Sequence, residues 1–577
     1  MISKNKIILI LIIIIACVLR FWQLGEVPPS PDWDEAALGY NAYSIKETGK
    51  DEYGISFPII LRSFDDYKPA LYAYIIIPFI TLFDLNIFSV RFPSAIFGIL
   101  TVIAAYFLVK EMFSLGASPP RCAAGGTSNV PAAFDCGATP PRRCLIALLS
   151  AGLLALSPWH IQFSRVAFEA NVGVALNVFT ALFFLKGLKK PWLLLLASLL
   201  AASNLYMYQN EKVFTPLLVV ALLIIFRKEI ASISKKYLLL SLLLGLAIAL
   251  PLVINIITAP TTLLRAKGVS VFSDQTPFLA RTVERLERDR ERSDMLGLVL
   301  DNRRVTYALA FVSGYLSHFD LNWLFIKGDE ARHHAPNMGL LYLFEFPFML
   351  AGIYMLIFRN FDKKTKALIF TWFLIAPIPA SITSGVPHSI RTLNFLPTFQ
   401  IFTAAGLIAF VMFISKIKYQ IANIHIKYLI FTMYFLFFIF NFLYYLNQYF
   451  VQQNYFYSEA WQYGYKELVD YVGENQERYD KIIVSNQPHL DQSYIFFLFY
   501  LKYSPVLYQE EVKNASGGFA ETHRFGKFEF RPIVWEKEKK NSKILYVGRP
   551  EDFSESAEVI KTIYFLDKKP AIKIVKG

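Results

Sequence analysis

The chain has 577 residues, of which 55% are hydrophobic, 16% are aromatic and only 18% are charged. Soluble globular proteins carry about 25% charged residues, so the composition excludes an ordinary soluble domain. Many stretches of about 18 or more mostly apolar residues predict an all-α polytopic membrane protein instead. The net charge of +13 could suggest nucleic acid, but the basic residues are distributed as in membrane topology, and we expect no nucleic-acid partner.

The first apolar segment predicts a retained membrane span. Lys4 and Lys6 precede an uncharged run from Ile7 to Leu19, and no small-residue cleavage site follows it. The short connectors between later apolar segments are basic and contain hardly any acidic residues, so they belong in the cytoplasm. This alternation predicts about eleven spans in a plasma membrane, with the N-terminus cytoplasmic and the C-terminus extracytoplasmic. The predicted spans are 7–24, 92–112, 145–157 with flanks, 172–187, 191–207, 213–227, 237–257, 339–358, 366–383, 393–416 and 427–447.

The first outer loop, residues 25–91, begins with a carboxylate cluster in Ser30-Pro-Asp-Trp-Asp-Glu-Ala36. Carboxylates beside a bilayer are costly unless water, a cation or a substrate meets them. The alternative is a solvated helix N-terminus, in which Asp34 caps a helix that begins at Glu35. The sequence leaves both interpretations open at this point.

The same loop contains an apolar segment, residues 69–83, that is easily mistaken for a span. It is short for a bilayer of about 30 Å, contains Pro78 and is rich in tyrosine, which favours membrane interfaces. Counting it as a span would reverse the side of every later basic connector. We therefore predict a juxtamembrane helix in the outer interface.

An insert, residues 116–144, separates the second and third predicted spans. It is rich in Ala, Gly and Pro and holds three of the four cysteines. Cys122, Cys136 and Cys144 lack the close pairing that a zinc module needs. The composition therefore predicts a disordered cytoplasmic loop with free thiols.

Outer turns later in the chain add further charged side chains on the same side of the membrane. After the third span, His160, Arg165 and Glu169 recur at about one helical turn and can share a face. After the ninth span, His388 and Arg391 lie in a tight turn. Cations in such places usually anchor a helix end at the interface, but several that converge on carboxylates suit a phosphate beside a catalytic acid or base.

The longest outer loop, residues 258–338, contains adjacent histidines at His333 and His334. Adjacent residues on one element point in different directions, and no ligand set is evident, so no metal ligand is predicted. After Asn447 the composition becomes more polar. Residues 481–485 and 543–548 resemble buried strands, and residues 459–472 resemble a helix, which predicts an extracytoplasmic α/β domain over residues 450–577.

Several motifs resemble the GT-C membrane glycosyltransferases, above all the bacterial protein O-mannosyltransferase and aminoarabinose transferase group. The resemblance covers about residues 1–450, and we assign residues 1–449 to a catalytic transmembrane domain of GT-C fold. The motifs are Asp34-Glu35, Thr48–Gly54, Asp65–Tyr72, Phe88–Ser94, Ser157–Arg165 and Pro387–Arg391.

The resemblance implies an inverting transfer of a sugar from a polyprenyl-phosphate donor to an acceptor hydroxyl on the outer membrane face. The acceptor is a protein, a lipid or a glycan. Carried over by motif, Asp34 is the candidate catalytic base, Glu35 is its neighbour in the catalytic pair, and Lys68 contacts the phosphate. The other candidates for substrate or phosphate binding are Arg91, His160, Arg165, Glu169, His388 and Arg391. A hydroxyl that attacks the anomeric carbon must lose a proton, and the departing phosphate needs cations, so these residue types suit the chemistry.

This chain departs from the family pattern at two positions, and the first of them bears on a metal site. Where the aminoarabinose enzymes have Glu before the motif lysine, this chain has Tyr67, which weakens a metal site there. Where they have Arg three residues beyond the catalytic Asp, this chain has Ala37. No cofactor is assigned with certainty, although a divalent metal stays possible.

The alternative function is a membrane transporter or a lipid-linked-sugar flippase. Transporters place ionisable residues within their spans and break helices near the midplane. Here the predicted spans are nearly free of charge, and the charges lie on one face. That arrangement favours an enzyme with chemistry on one side of the membrane.

Overall fold

The computed structural model describes residues 4–64, 66–115, 140–259, 268, 270, 278–417, 424–512 and 522–577. Helices form most of the described chain, and a mixed six-stranded sheet lies near the C-terminus. Residues 116–139 of the predicted insert lie outside the described residues. Residues 140–144 were predicted as part of that loop, but they form the first turn of a helix that continues into an apolar segment. Pro140 and Pro141 suit this place because a helix start leaves backbone N–H groups unpaired.

The membrane-associated part of the described chain contains nineteen α-helices. They are α1 (Lys4–Phe21), α2 (Trp33–Thr48), α3 (Leu71–Phe83), α4 (Ile87–Met112), α5 (Pro140–Leu156), α6 (Pro158–Ser164), α7 (Glu169–Gly187), α8 (Leu193–Asn204), α9 (Glu211–Ile225), α10 (Arg227–Ala231), α11 (Lys235–Thr258), α12 (Phe278–Glu291), α13 (Met295–Leu300), α14 (Arg303–Ser317), α15 (Glu345–Phe358), α16 (Lys363–Ile375), α17 (Ile378–Ser381), α18 (Thr398–Ile417) and α19 (Ile424–Asn447).

Five helical segments among the described residues are long and apolar enough to cross a membrane, or six when a bent pair counts as one span. They are Ile87–Met112, Glu169–Gly187, Lys235–Thr258, Leu393–Ile414 and Leu429–Tyr457, and the bent pair is Arg143–Leu156 with Pro158–Ser164. This number does not confirm eleven spans, because some predicted spans contain shorter helices, such as α8 and α15. The predicted juxtamembrane segment is the helix α3, with Pro78 inside it.

The first outer loop is shaped by one helix and one hairpin. Asp32 caps α2 by accepting a hydrogen bond from the backbone N–H of Glu35 at 2.9 Å, and Gly49 ends the helix with φ +70°. The alternative interpretation with Asp34 as the cap is therefore wrong. Strands β1 (Ile60–Ser63) and β2 (Asp66–Pro69) then pair antiparallel, with Leu61 opposite Lys68. Because side chains alternate along a strand, Lys68 and Tyr67 point to opposite faces.

The C-terminal region, residues 450–577, combines helices with the six-stranded sheet. Its helices are α20 (Gln453–Tyr457), α21 (Tyr465–Asn475), α22 (Ser493–Leu501) and α23 (Pro505–Glu511), and its strands are β3 (Lys481–Val484), β4 (His523–Phe525), β5 (Phe528–Phe530), β6 (Ile544–Gly548), β7 (Val559–Tyr564) and β8 (Pro570–Lys576). The strand order is β4-β5-β3-β6-β8-β7, and β3 runs parallel to both β5 and β6. The two predicted strands correspond to β3 and β6, while the predicted helix begins later, at Tyr465.

This region packs directly on the first outer loop. One buried hydrophobic cluster contains residues of α2 and α3 together with residues of α22 and the sheet. A Cβ atom at Gly39 of α2 would lie 2.7 Å from the ring of Phe499, so α2 and α22 approach closely only because that position is glycine. The C-terminal region thereby supports the helix that begins at the carboxylate cluster.

Candidate functional site

A cavity of about 140 Å³ lies between residues 25–91 and four later connecting segments. It is lined by Asp32, Asp34, Lys68, Pro69, Phe168, Glu169, Tyr208, Gln209, Glu330, Arg332, His333, His388, Ile390 and Arg391. Five of the nine residues predicted for the site therefore meet at one place: Asp34, Lys68, Glu169, His388 and Arg391. Most of the lining side chains are polar or charged, so the cavity suits a polar ligand.

Asp34 and Lys68 form an ion pair in this cavity. The side chain of Asp34 is 32% exposed, whereas that of Lys68 is only 11% exposed. Burial acts to lower the pKa of Lys68, but the negative charges of Asp34 and Glu169 outweigh it, so this pKa stays above its ordinary value. The pair thus places a partly exposed carboxylate beside an ammonium group whose charge is favoured by its neighbours.

Asp32 lines the cavity next to this pair but has two structural partners. Its Oδ1 atom caps α2, and its Oδ2 atom accepts a hydrogen bond from Nη1 of Arg332 at 2.8 Å. The guanidinium group of Arg332 also lies over the ring of Trp33, 4.8 Å from the ring centre. Burial raises the pKa of Asp32 to about 6, while Arg332 acts in the opposite direction. Arg332 therefore joins the segment between α14 and α15 to the start of α2.

Glu35 does not line the cavity. Its carboxylate is buried against Arg91, which donates from Nε at 2.9 Å and from Nη2 at 2.8 Å, and the N–H of Ala167 donates at 2.7 Å. Arg91 also donates to the carbonyl groups of Leu24, Pro28 and Ser30. Bidentate pairs of this kind fix geometry strongly. The pair therefore holds the chain before α2 against α4 and the segment before α7.

Arg165 lies at the end of a helix rather than in the cavity. Its Nη1 atom donates to the carbonyl groups of Leu19 and Arg20, and its Nη2 atom donates to those of Gln23 and Val27, at 3.0–3.2 Å. Carbonyl groups at the end of α1 lack partners within the helix, and Arg165 satisfies them.

His160 is part of a similar cap on a neighbouring helix. Arg20 donates to the carbonyl groups of Leu154 and Ala155 at the end of α5, and its Nη2 atom lies 2.6 Å from Nδ1 of His160. Both Arg20 and His160 are fully buried. The structure thus gives His160 and Arg165 partners in the protein interior and does not bring them to the cavity.

A second polar cluster lies in the wall of the cavity, formed by Asp329, His333 and His388. Nδ1 of His333 lies 3.2 Å from Oδ2 of Asp329, Nδ1 of His388 lies 4.0 Å from the same oxygen, and the two imidazole rings are 4.9 Å apart. The backbone N–H and the hydroxyl group of Ser389 also donate to this oxygen, at 2.6 and 2.5 Å. Burial acts to raise the pKa of Asp329, but the hydrogen bond from His333 and the neighbouring imidazoles outweigh it and hold it below its ordinary value.

Sequence reasoning identified His333 only as half of an adjacent pair. The structure separates the pair, because Nδ1 of His334 lies 2.6 Å from the carbonyl group of Ala335 and 3.1 Å from that of Met338. Asp329 and Arg332 were missed as site residues. Asp329 has one local partner, His333, four residues further on, but its other partners, Ser389 and His388, and the partner of Arg332, Asp32, are distant in sequence. No local pattern could have identified these distant contacts.

The side chain of Arg391 is held in place by its own turn. Its Nη1 atom donates to Oγ1 of Thr383 and to the carbonyl group of Ser384, both at 2.7 Å. Lys68, Arg332 and Arg391 all line the cavity that contains Asp34. The arrangement can bind an anion and, beside it, accept a proton on a carboxylate.

Comparison with known proteins supports the resemblance found in the motifs. A family model described as dolichyl-phosphate-mannose-protein mannosyltransferase matches residues 67–127. ArnT from Cupriavidus metallidurans in the apo state is similar in structure, with a TM-score of 0.52 and 11% identity over 99% of this chain and 98% of that chain. ArnT bound to undecaprenyl phosphate gives a TM-score of 0.52 and 10% identity over the same shares. No curated protein matches the chain in sequence. The predicted resemblance to GT-C membrane glycosyltransferases is confirmed, and the likeness to ArnT is one of fold.

Proposed function

We propose that this protein is an inverting glycosyltransferase that moves a sugar from a polyprenyl-phosphate donor to an acceptor hydroxyl at the outer membrane face. The observation that carries the proposal is the Asp34–Lys68 pair, set in a polar cavity of a chain with the fold of ArnT. Two further findings support it. The matched family model describes a transferase for lipid-phosphate-linked mannose, and ArnT has been solved with undecaprenyl phosphate.

In the proposed mechanism, Asp34 is the catalytic base. The acceptor hydroxyl oxygen attacks the anomeric carbon, the bond between that carbon and the phosphate oxygen breaks, and the hydroxyl proton moves to the Asp34 carboxylate. A single displacement of this kind inverts the anomeric centre. Asp34 suits the role because about a third of its side chain is exposed. A positioned base contributes roughly 10²–10⁴-fold to the rate.

Lys68 has the complementary role at the leaving group. Its ammonium group would contact the phosphate and stabilise the charge that develops as the sugar departs. Arg391 and Arg332 line the same cavity and are the further cations available to a phosphate. Glu35, by contrast, is proposed to position the catalytic loop through Arg91, since both of its oxygens already have partners.

The topology completes the proposal. The basic connectors are assigned to the cytoplasm, so the cavity and the C-terminal region face outward. Such a cavity is open to acceptors on that side, with a protein, lipid or glycan hydroxyl as the chemical class. A single cysteine introduced at Ser56 or Ser542 should react with an impermeant reagent from outside, and one at the exposed position Lys363 should not.

The test is sugar transfer from a radiolabelled polyprenyl-phosphate donor by the purified chain in proteoliposomes, with donor binding measured separately. Wild-type protein should transfer label to an acceptor fraction, and Asp34→Asn should bind donor without transfer. Movement of the labelled lipid across the bilayer without any transfer would contradict the proposal and favour a flippase.

A further inference from the structure

A second cavity, of about 340 Å³, lies between the C-terminal region and residues 25–91, and the mechanism proposed above gives it no role. Its volume falls within the range of about 300–1,000 Å³ that is usual for small-molecule sites. One wall is a face of α21, and the others come from α22, β7 and residues 29, 30 and 87. The cavity is therefore bordered by the segment that leads to the carboxylate cluster.

Three tyrosines line this second cavity. Tyr463 lies just before α21, Tyr471 lies on that helix, and Tyr500 comes from α22. Each of them is half-buried. A ring that keeps part of its surface exposed can pack against the apolar C–H groups of a ligand, while its hydroxyl group forms hydrogen bonds. The three rings thus give the cavity an aromatic surface.

Three carboxylates of α21 provide the polar part of the lining. Glu467, Asp470 and Glu474 recur at intervals of three and four residues, so they lie on one face of the helix. Nζ of Lys561 lies 2.8 Å from Oε1 of Glu467, and Nζ of Lys466 lies 2.6 Å from Oδ2 of Asp470. The side chains of Glu467 and Asp470 are still 51% and 56% exposed, so their oxygen atoms are accessible to a ligand.

The charges of the lining argue against two classes of ligand. Three carboxylates and two lysines leave one negative charge, so the cavity does not attract an anion such as phosphate. Five charged side chains also make the cavity unsuitable for an apolar ligand. A neutral ligand with many hydroxyl groups fits both the charges and the rings, because a hydroxyl group can donate to a carboxylate and accept from an ammonium group.

We propose that this cavity, called the saccharide cavity below, binds a neutral saccharide. The C–H faces of the sugar pack on the tyrosine rings, and its hydroxyl groups bind the carboxylates of α21 and the ammonium group of Lys561. Nζ of Lys561 lies 5.3 Å from the centre of the Tyr471 ring. This contact places an aromatic surface and a hydrogen-bond donor side by side, as the recognition of a sugar ring requires.

The segment before α2 borders both the saccharide cavity and the cavity that contains the Asp34–Lys68 pair. Pro29 and Ser30 line the saccharide cavity, and Asp32 lines the other. Two residues of fully extended chain span at most about 7 Å, so the two cavities lie close together. A saccharide chain bound in the first cavity is therefore near the proposed catalytic base.

A hydrogen bond also joins the saccharide cavity to the start of α2. The backbone N–H of Trp33 donates to Oε1 of Gln462 at 3.1 Å, and the next residue, Tyr463, lines the cavity. The role of the saccharide rests on the proposed function. The cations that suit the donor phosphate line the other cavity, so we assign the saccharide to the acceptor, which makes a glycan the acceptor class.

The first test measures saccharide binding by the purified full-length protein without any donor. The detergent must have no sugar headgroup, since such a headgroup would compete for the site. The probe is an array of short neutral oligosaccharides of hexoses and N-acetylhexosamines, and the affinity for each bound sugar is then measured by saturation-transfer NMR. We expect wild-type protein to bind at least one of these sugars.

Variants assign this binding to the saccharide cavity. Tyr471→Ala should weaken it by roughly 10-fold, because the packing on the ring is lost, whereas Tyr471→Phe keeps the ring and should restore most of the affinity. Glu474→Ala should also weaken binding by roughly 10-fold, and because Glu474 is exposed, this variant should fold normally. Tyr564→Ala is the matched control, since Tyr564 is 52% exposed on β7 but does not line the cavity.

Three results would overturn the proposal. The first is wild-type protein that binds none of the neutral sugars. The second is wild-type affinity in both Glu474→Ala and folded Tyr471→Ala, which would place the sugar elsewhere. The third is binding of cationic amino sugars alone, which would make the ligand an amine.

Sugar transfer in proteoliposomes separates this inference from the proposed function. With a glycan acceptor, Tyr471→Ala should raise the acceptor KM by roughly 10-fold and leave kcat and donor binding close to wild type. Protein that transfers sugar but binds no saccharide at Tyr471 would refute the saccharide cavity and leave the transferase intact. Protein that binds saccharide there but transfers nothing would refute the transferase and leave the saccharide cavity intact.

Discussion

The residues predicted for the site divide into two regions that differ in their partners. In the cavity, Asp34 and Lys68 contact each other and retain exposed surface, and Glu169, His388 and Arg391 line the same space. The other four predicted residues are buried, and each has at least one polar contact within the protein. These are Glu35, Arg91, His160 and Arg165.

The comparison shows that one family motif can contain two kinds of residue. Asp34 and Glu35 are adjacent, yet only Asp34 lies in the cavity, because successive residues at a helix start point in different directions. Glu35 instead joins Arg91 and Ala167, which fixes where Asp34 stands. Buried motif residues such as Glu35 should matter more for folding than for the chemical step. Variants that are tested for both stability and sugar transfer can separate these two roles.

The largest effect is expected for Asp34→Asn. The substitution keeps the shape of the side chain but removes its capacity to accept a proton, so turnover should fall by roughly 10²–10⁴-fold. Donor binding and the melting temperature should stay close to wild type. Transfer and donor binding are measured in proteoliposomes, and unfolding is followed separately.

The control for this variant is Glu330→Gln, which removes a carboxylate from the wall of the same cavity. It should retain most of its turnover. An active Asp34→Asn beside an inactive Glu35→Gln would move the base to Glu35, and activity in both would refute the catalytic role of this loop.

The second effect concerns the buried region. Arg91→Met should destabilise the protein by about 3–5 kcal/mol, because it leaves the carboxylate of Glu35 buried without a charged partner. The double variant Arg91→Met with Glu35→Gln should recover part of this loss, since no charge is then left unpaired. The free energy of unfolding is measured in detergent. A single variant with unchanged stability but no transfer would place Arg91 in the chemistry after all.

The sequence predicted the parts of the fold and site that depend on local patterns. Asp34 and Lys68 were placed in one loop from their motifs, and the structure adds the β1–β2 pair, which returns Lys68 toward the start of α2. Strands β3 and β6 were predictable because parallel neighbours bury both faces and leave a continuous apolar run.

Interactions between distant segments could not be predicted in the same way. Arg332 pairs with Asp32 across 300 positions, and Asp329 meets the 388–391 turn across about 60. A single sequence carries no pattern for such pairs. The sequence also could not show that Arg165 binds carbonyl groups at the end of α1. Every residue has a backbone carbonyl group, so the sequence does not mark which of them will accept a hydrogen bond from a distant side chain.

A third prediction concerns Asp32, which lies between the two regions. Its pKa is raised by burial to about 6, against 3.8 in the unfolded chain. A carboxyl group with a raised pKa stabilises the fold fully below pH 3.8, and this contribution is lost as the pH rises through about 6. Because Asp32→Asn can still cap α2 but does not titrate, the stability of wild type relative to this variant should fall by about 2 kcal/mol between pH 4 and pH 7. Melting curves of both proteins at several pH values would measure it, and parallel curves would contradict it.

The smallest effect is expected for Lys68→Met, and it tests whether the cavity cations act on the donor phosphate. The variant keeps the length and apolar stem of the side chain but removes the charge beside Asp34. Donor binding should weaken by roughly 10–100-fold, the value of one hydrogen bond to a charged group, and transfer should slow further because the leaving phosphate is less stabilised.

Lys212→Met is the matched control, since Lys212 donates to Gln209, a lining residue, but does not itself line the cavity. Its donor affinity should match that of wild type. Normal donor binding by Lys68→Met together with weakened binding by Lys212→Met would contradict this prediction. The phosphate would then lie beside Gln209, and Lys212 would have to be counted among the residues of the cavity.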